Sequence, residues 1–539
     1  MNQANHQCRA LRKRRSGLHA GCRVQDAGTN QGVDGYRPPR VEHQASARGT
    51  SAVSPVATFS RRNFFDSLSQ GMMGAALASI FSQDLFGRDL NAIVAEEVGS
   101  EPQDLKPRKS HVEAPAQAVI QLFMNGGPSQ MDLFDPKPEL ARRHGQTYFD
   151  QIAGEVENPR GAGALTRSWY KFRQRGECGM WVSDVLPYTA DCVDDIALIR
   201  SMHTTNLTHE PALFKIHSGR EMSGLPSLGA WVAYALGTEN QNLPAYIVLD
   251  DPAGLPVNKT QNWQAGFLPP IFQGTRFRAT GLPVLNLERD FDEPSWVGSL
   301  ERDLVSRLDQ IHQTTRPQHP QLGARIASYE LAARMQLEVT DALDCSDETQ
   351  NTLDMYGIGQ EVTDSYGKRC LYARRLVERG VRFVQLFIER QIWDNHTNLG
   401  PGLKDACLKT DQPIAALLKD LKQRGLLDST LVVWGGEFGR LPISQLPEDR
   451  DVMKAGRDHN KNAMVTWMAG GGVKGGITYG STDELGFAAT ENKITVPDWH
   501  ATILHQLGMH HEELYAIRNG LRERLTGVEE AHVVHDILM

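Results

Sequence analysis

Cysteine is sparse. The seven residues, at 8, 22, 178, 192, 345, 370 and 407, are widely spaced and form no C-x-x-C pair. An odd, scattered set excludes a disulfide framework and a finger-type structural zinc site. Long apolar runs are missing too. None approaches the roughly 20 residues that a membrane-crossing helix needs, so no stable membrane span is expected. The chain also lacks a basic surplus. Its formal net charge is -8, and residues 1–57 carry nine Lys and Arg against three Asp and Glu, leaving -14 on the rest. An acidic body argues against nucleic acid as a partner.

What is present is ordinary for a soluble globular protein, with 40% hydrophobic and 23% charged residues. A length of 539 residues fits two to four average domains, or one large α/β domain with insertions. Residues 1–57 are rich in Arg, Gly, Ser, Gln and His without apolar periodicity, and read as a disordered N-terminal extension. At 58–90 the text changes. Ser60, Arg61 and Arg62 precede Phe64 and Phe65, then an Ala-rich stretch ending Ala76-Leu77-Ala78. This is similar to a twin-arginine export signal, which implies export to the periplasm or cell surface. Residues 91–114 read as a linker, and 115–539 as the folded domain.

Within that domain, strand-type runs alternate with helix-period segments. The runs are AQAVIQLFM from Ala116, DIALIRSM (195–202), AYIVL (245–249), VRFVQLFI (381–388), LVVW (431–434) and AMVTWMA (463–469). The clearest helices are Leu228–Leu236, Leu322–Leu337, Asp364–Glu378, Leu403–Arg424 and Asp498–Leu507. This alternation predicts an α/β fold with a mostly parallel central sheet and helices on both faces. Residues 252–315 read as a long polar excursion over the sheet edge, and 341–362 as a second.

Candidate chemistry gathers at strand ends, where open α/β sheets bind ligands. After the first run come Asn125, Gly126, Gly127, Ser129, Asp132 and Asp135. After VRFVQLFI come Asp394, His396 and Asn398 in WDNHTN, and after LVVW comes Glu437. Asp458 and His459 precede AMVTWMA. Carboxylates with imidazoles suit zinc, manganese or iron, and a carboxylate-rich subset also accepts magnesium or calcium. Asp132, Asp394, His396, Glu437 and His459 are the metal-ligand candidates. Arg440, Arg457 and Lys474 are candidates for holding an anionic group. Cys178 and Ser183 read as lying ahead of a helix, whose N-terminus favours anions. With His209 they form the candidate catalytic set, and His500 is a candidate supporting residue or helix cap.

NGGPSQMDLFDPKPEL, RSMHTTNLTHEPA, GLPSLGAWVAYALG, WDNHTN, GGEFGR with GRDHN, and PDWHATILHQLG together resemble the DUF1501 family. Its members are exported proteins abundant in planctomycetes, grouped with the alkaline phosphatase and sulfatase superfamily. The resemblance spans roughly 115–539. It implies an alkaline phosphatase-like fold, one or two divalent metal ions (Zn, Mn, Mg or Ca) and hydrolysis of a sulfate or phosphate ester. The expected partner is a small anionic ester or a sulfated or phosphorylated glycan. Asn125 stands where the superfamily has an acidic ligand, and Phe438 follows Glu437 where it has a histidine. Cys178 is followed by Gly-Met-Trp-Val, not by the sulfatase pattern C-x-[PSA]-x-R. These departures favour a rival reading, a catalytically inactive binding or cell-surface member. A phosphate-ester mutase or transferase would need a cap domain, for which 252–315 is the candidate.

Overall fold

The computed structural model describes residues 102–278, 295–315 and 321–539. The expected N-terminal extension and export signal therefore lie outside the described residues, as do residues 91–101 of the linker.

Eight strands make the main sheet: β1 Ala118–Phe123, β2 Ile196–Met202, β3 Tyr246–Leu249, β4 Thr275–Phe277, β5 Phe383–Phe387, β6 Thr430–Gly435, β7 Met464–Ala469 and β8 Ile477–Tyr479. Their spatial order is β8-β2-β7-β6-β1-β5-β3-β4. β1 pairs in parallel with β5 and β6, and β3 with β5 and β4. β7 alone runs against its neighbours, pairing antiparallel with β6 and β2. Every residue of β1, β5 and β7 is buried, so both sheet faces are covered. Strands buried on both faces read as unbroken apolar runs, which is why the sequence shows them plainly.

Seven helices of six or more described residues, leaving aside Gln350–Met355, accompany the sheet. They are α1 His209–Ser218, α2 Leu228–Leu236, α3 Ser295–Thr314, α4 Gln321–Leu343, α5 Asp364–Glu378, α6 Leu399–Gln423 and α7 Val496–Gln506. α7 opens with a capping box: the Thr495 hydroxyl accepts from the Asp498 N–H, and the Asp498 carboxylate accepts from the Thr495 N–H. One large core surrounds the sheet, and a smaller one lies beside it, built from Met131, Leu140, Leu165, Leu441 and Ile443 among others.

Three expectations change. Residues 252–315 are not simply an excursion, because Thr275–Phe277 joins the sheet as its edge strand and Ser295–Thr314 is helical. The 341–362 stretch contains the helix Gln350–Met355. Cys178 and Ser183 do not precede a long helix. They sit on the antiparallel hairpin of Phe172–Arg175 with Met180–Ser183, so no helix N-terminus of consequence is offered there.

Candidate metal centre

The sheet topology brings five separate segments to one edge. β1, β5 and β6 end there, delivering Gly126, Asp394 with His396, and Glu437. β2 also ends there and leads into α1, whose first residue is His209. β7 is antiparallel, so its start faces this edge, and His459 enters from the segment just before it. A histidine ahead of a strand and acids behind other strands meet for this reason.

Glycine makes the loops fit. Gly126 has φ +109°, and a Cβ there would stand 2.5 Å from the Asp394 backbone nitrogen. The Gly126 N–H donates to both Glu437 carboxylate oxygens, at 3.0 and 3.1 Å. Asn125 donates to the carbonyls of Ile388 and Arg390. The end of β1 thus splices loops together and supplies no acid. Trp393 is fully buried, edge-on to Trp434, and anchors the loop that carries Asp394 and His396.

His209, Asp394, His396 and His459 present one ligand atom each within 4.8 Å of one another. The His396 and His459 Nε2 atoms are 2.9 Å apart. Asp394 Oδ1 lies 2.9 Å from His396 Nε2 and 3.2 Å from His459 Nε2. Asp394 Oδ2 lies 3.2 Å from His209 Nε2, which is buried and has no hydrogen-bond partner. Ligand atoms on a tetrahedral ion with bonds of about 2.0–2.1 Å are themselves about 3.3 Å apart.

The far side of each ring is also held. His209 Nδ1 meets Glu437 Oε1 at 2.7 Å, and His396 Nδ1 meets Gln445 Oε1 at 2.5 Å. His459 Nδ1 is 2.5 Å from Glu157 Oε2, an ion-pair contact whose angles fall outside hydrogen-bond geometry. For His209 and His396 the acceptor at Nδ1 places the proton there and leaves the Nε2 lone pair facing inward, the arrangement common around metal-bound histidines.

The electrostatics follow from this packing. Burial works against a charged Asp394, but Arg440 and the three imidazoles outweigh it and hold its carboxyl far below the usual carboxylate range. Burial alone would lower His209. The Asp394 and Glu437 carboxylates overcome that and raise it to about 9. His396 is likewise raised, despite burial, chiefly by Asp394. The cluster is built for positive charge, whether protons or a cation.

A second trio, Glu157, Asp458 and His459, is also close enough to share an ion. Its Asp458 carboxylate is already engaged by the backbone N–H groups of Asn158 and His459, at 2.8 and 2.9 Å. Phe438 packs on His209 and His459, with centroids 4.9 and 4.4 Å away, and fills the space beside them.

The other sequence candidates go elsewhere. Asp132 is fully buried, 2.8 Å from the Arg457 Nε, and is not one of the clustered ligands. Glu437 stands behind His209 rather than among them. Arg440 and Arg457 are corrections to the anion-binding expectation. Arg440 donates to the carbonyls of Gly126, Gly127 and Arg457 and to Asp394. Arg457 donates to Asp132 and to the carbonyls of Leu441, Pro442 and Thr166. Both guanidinium groups are fully buried and donate to partners inside the protein, closed off from an incoming anion. Lys474 donates to the Asp536 carbonyl at 3.1 Å. Cys178 is exposed on its hairpin turn, with its N–H on Asp194. Ser183 is buried and its hydroxyl lacks a partner. Among the described residues, neither hydrogen-bonds to any of the four clustered side chains. His500 is fully buried, its Nε2 2.8 Å from the Ile216 carbonyl. Sequence reading assigned His209 a catalytic role and overlooked Glu157 and Gln445 as partners of the ring nitrogens.

Comparison with known proteins places this geometry in context. No curated protein matches. Among solved structures, the PsFucS1 sulfatase from Pseudoalteromonas is 12% identical, covers 78% of this chain and 70% of its own, and has a TM-score of 0.33. Alkaline phosphatase from the Antarctic bacterium TAB5 is 11% identical over 73% of this chain and 97% of its own, with a TM-score of 0.27. A phosphonate monoester hydrolase from Silicibacter pomeroyi is 10% identical over 74% and 73%, with a TM-score of 0.29. At these values no residue role passes from them to this chain. Residues 116–538 match the family described as "Protein of unknown function (DUF1501)". That match spans most of the chain, which therefore belongs to the DUF1501 family.

Proposed function

We propose that this protein is a metal-dependent hydrolase of sulfate or phosphate esters, with His209, Asp394, His396 and His459 holding one divalent cation. The observation that supports it is the convergence of three Nε2 atoms and one carboxylate, each ring braced from behind through Nδ1. Three imidazoles with a single carboxylate suit zinc, manganese or iron better than magnesium or calcium, which prefer all-oxygen shells. The engaged Asp458, the Asn125 splice and the Phe438 wall favour one ion over two.

A cation at this point would polarise an ester oxygen and offset charge developing on it. The chain's own residues do the positioning. Arg440 fixes Asp394 at 2.6 Å, and Glu437, itself clamped by Gly126, sets the His209 tautomer. His396 is the most open of the four side chains, at 31% exposed, so substrate approaches from its side. With no hydrogen bond from Cys178 or Ser183 to the clustered side chains among the described residues, the nucleophile in this reading is water.

A screen of aryl sulfates, phosphates and phosphonates with metal-reconstituted protein tests this reading. Hydrolysis that needs added metal and vanishes in Asp394→Asn supports it. No turnover of any ester by fully metallated protein overturns it and favours the binding-protein alternative.

A further inference from the structure

A groove of about 920 Å³ runs along the segment next to His396, lined in part by Leu140, Leu165, Trp169, Phe172, Leu446 and Met453 and by Ala455, whose backbone bridges Thr397; none of the four clustered side chains lines it. Ser444 also lines it, and the next residue, Gln445, is the one that braces His396. Trp169 is 36% exposed and rests against Gly400 at the start of α6, with the Arg457 guanidinium 5.6 Å from its ring. Tyr170 is tied to the Gly400 carbonyl. The aromatic wall is therefore pinned to the same segments that carry Asp394, His396 and His459.

The groove is apolar in body and positive in charge. Lys137, His144, Arg167 and Lys171 contribute to its lining, and no Asp or Glu does among the described residues. Lys137 is paired with Asp135 at 3.0 Å. Arg167 and Lys171 are exposed, and their side chains have no ion-pair partner among the described residues. Val452 and Met453 line the groove and are 67% and 80% exposed. A positive, acid-free groove on a chain of net charge -8 selects anions. Its leucine, methionine and aromatic walls select an apolar body over a hydroxyl-rich one.

We infer that this groove seats the organic half of the substrate: an anionic ester with a bulky apolar body, aryl or alkyl, guided by Arg167 and Lys171. This rests on the hydrolase reading, because the groove would then place the leaving group next to the metal cluster.

The test is calorimetric titration of the full-length protein with 2-naphthalenesulfonate, uncharged 2-naphthol, decanesulfonate and inorganic sulfate. The naphthalene or decane sulfonate is expected to bind more tightly than either naphthol or sulfate, and the two sulfonates distinguish aryl from alkyl bodies. Arg167→Ala with Lys171→Ala should weaken sulfonate binding about tenfold and leave naphthol binding unchanged. Met453→Glu, a rim change that adds opposing charge, should weaken it as well. Unchanged sulfonate affinity in both variants overturns the inference. So does tighter binding of a sulfated disaccharide than of either sulfonate. If sulfonate binding follows the expected pattern while no ester is hydrolysed, the groove stands and the hydrolase reading falls. If turnover persists but the variants bind sulfonates normally, the reverse holds.

Discussion

His396 and His459 point their Nε2 atoms at each other across 2.9 Å. Each ring has an oxygen at its other nitrogen: Gln445 Oε1 accepts from His396, and Glu157 Oε2 makes an ion-pair contact with His459. Two neutral rings with protons at Nδ1 would turn two lone pairs toward one point. That is unfavourable without a positive centre between them. The rear partners are accordingly part of the site. Glu437→Gln and Gln445→Leu should each weaken metal affinity about 10–100-fold, the usual effect of removing such support. Competition against a chromophoric chelator measures this, and full affinity in both variants would show the rear contacts to be incidental.

The sealed guanidinium groups carry a stability cost, not a substrate contact. Arg457→Met leaves Asp132 buried without its partner and should destabilise the fold by about 3–5 kcal/mol. Adding Asp132→Leu should recover much of that. Urea denaturation gives the answer. A role in holding substrate would show instead as a raised KM with unchanged stability.

Acid should weaken the fold through two core histidines. Burial lowers His217 to about 3 and His500 to about 4. Both are neutral when folded, whereas the unfolded chain protonates near 6.5. Stability from this source is full above about pH 6.5 and falls as pH drops, by about 1.4 kcal/mol per pH unit for each histidine down to its folded value. His500→Gln keeps a donor for the Ile216 carbonyl and removes one titration. Its stability should fall less steeply between pH 6 and 4.5 than that of the wild type. Equal slopes would mean that His500 is not held neutral.

The fold was largely legible because β1, β5, β6 and β7 are buried on both faces and print as apolar runs. Asp394, His396 and His459 were legible from their places at strand ends. His209 obeys the same rule, since it follows β2, but the pattern of residues alone did not say that its Nε2 turns inward. Glu157 and Gln445 gave no signal, because one lies in a short connection and the other ends the three-residue strand Ile443–Gln445, both far along the chain from their imidazole partners. Arg440 and Arg457 misled for a physical reason. A guanidinium walled in by carbonyl oxygens looks, in sequence, like one waiting for an anion. The 178–183 hairpin was legible in hindsight from Gly176 and Gly179, both at positive φ where the chain reverses.

Cys178 should prove dispensable. Burial and its Asp194 neighbour push the thiol upward, away from the reactive thiolate. Cys178→Ser should retain metal and any ester hydrolysis, and mass spectrometry of the wild-type peptide should show an unmodified cysteine. A formylglycine at this position would replace water as the nucleophile in this account.

Export by the twin-arginine route is proposed from Ser60-Arg61-Arg62 and the Ala-rich stretch that follows. Arg61→Lys with Arg62→Lys should hold the protein in the cytoplasm on cell fractionation. Unchanged localisation would remove the signal reading without touching the metal centre.

Metal stoichiometry tests the central claim most directly. The full-length protein is equilibrated with zinc or manganese, passed over a desalting column and measured by elemental analysis beside Asp394→Asn, His396→Ala and Cys178→Ser. The wild type and Cys178→Ser should each retain about one ion per chain, with a metal-dependent rise in melting temperature, and the two ligand variants should lose both. A wild type that retains no ion, or ligand variants that keep a full equivalent, would contradict a shared centre at His209, Asp394, His396 and His459.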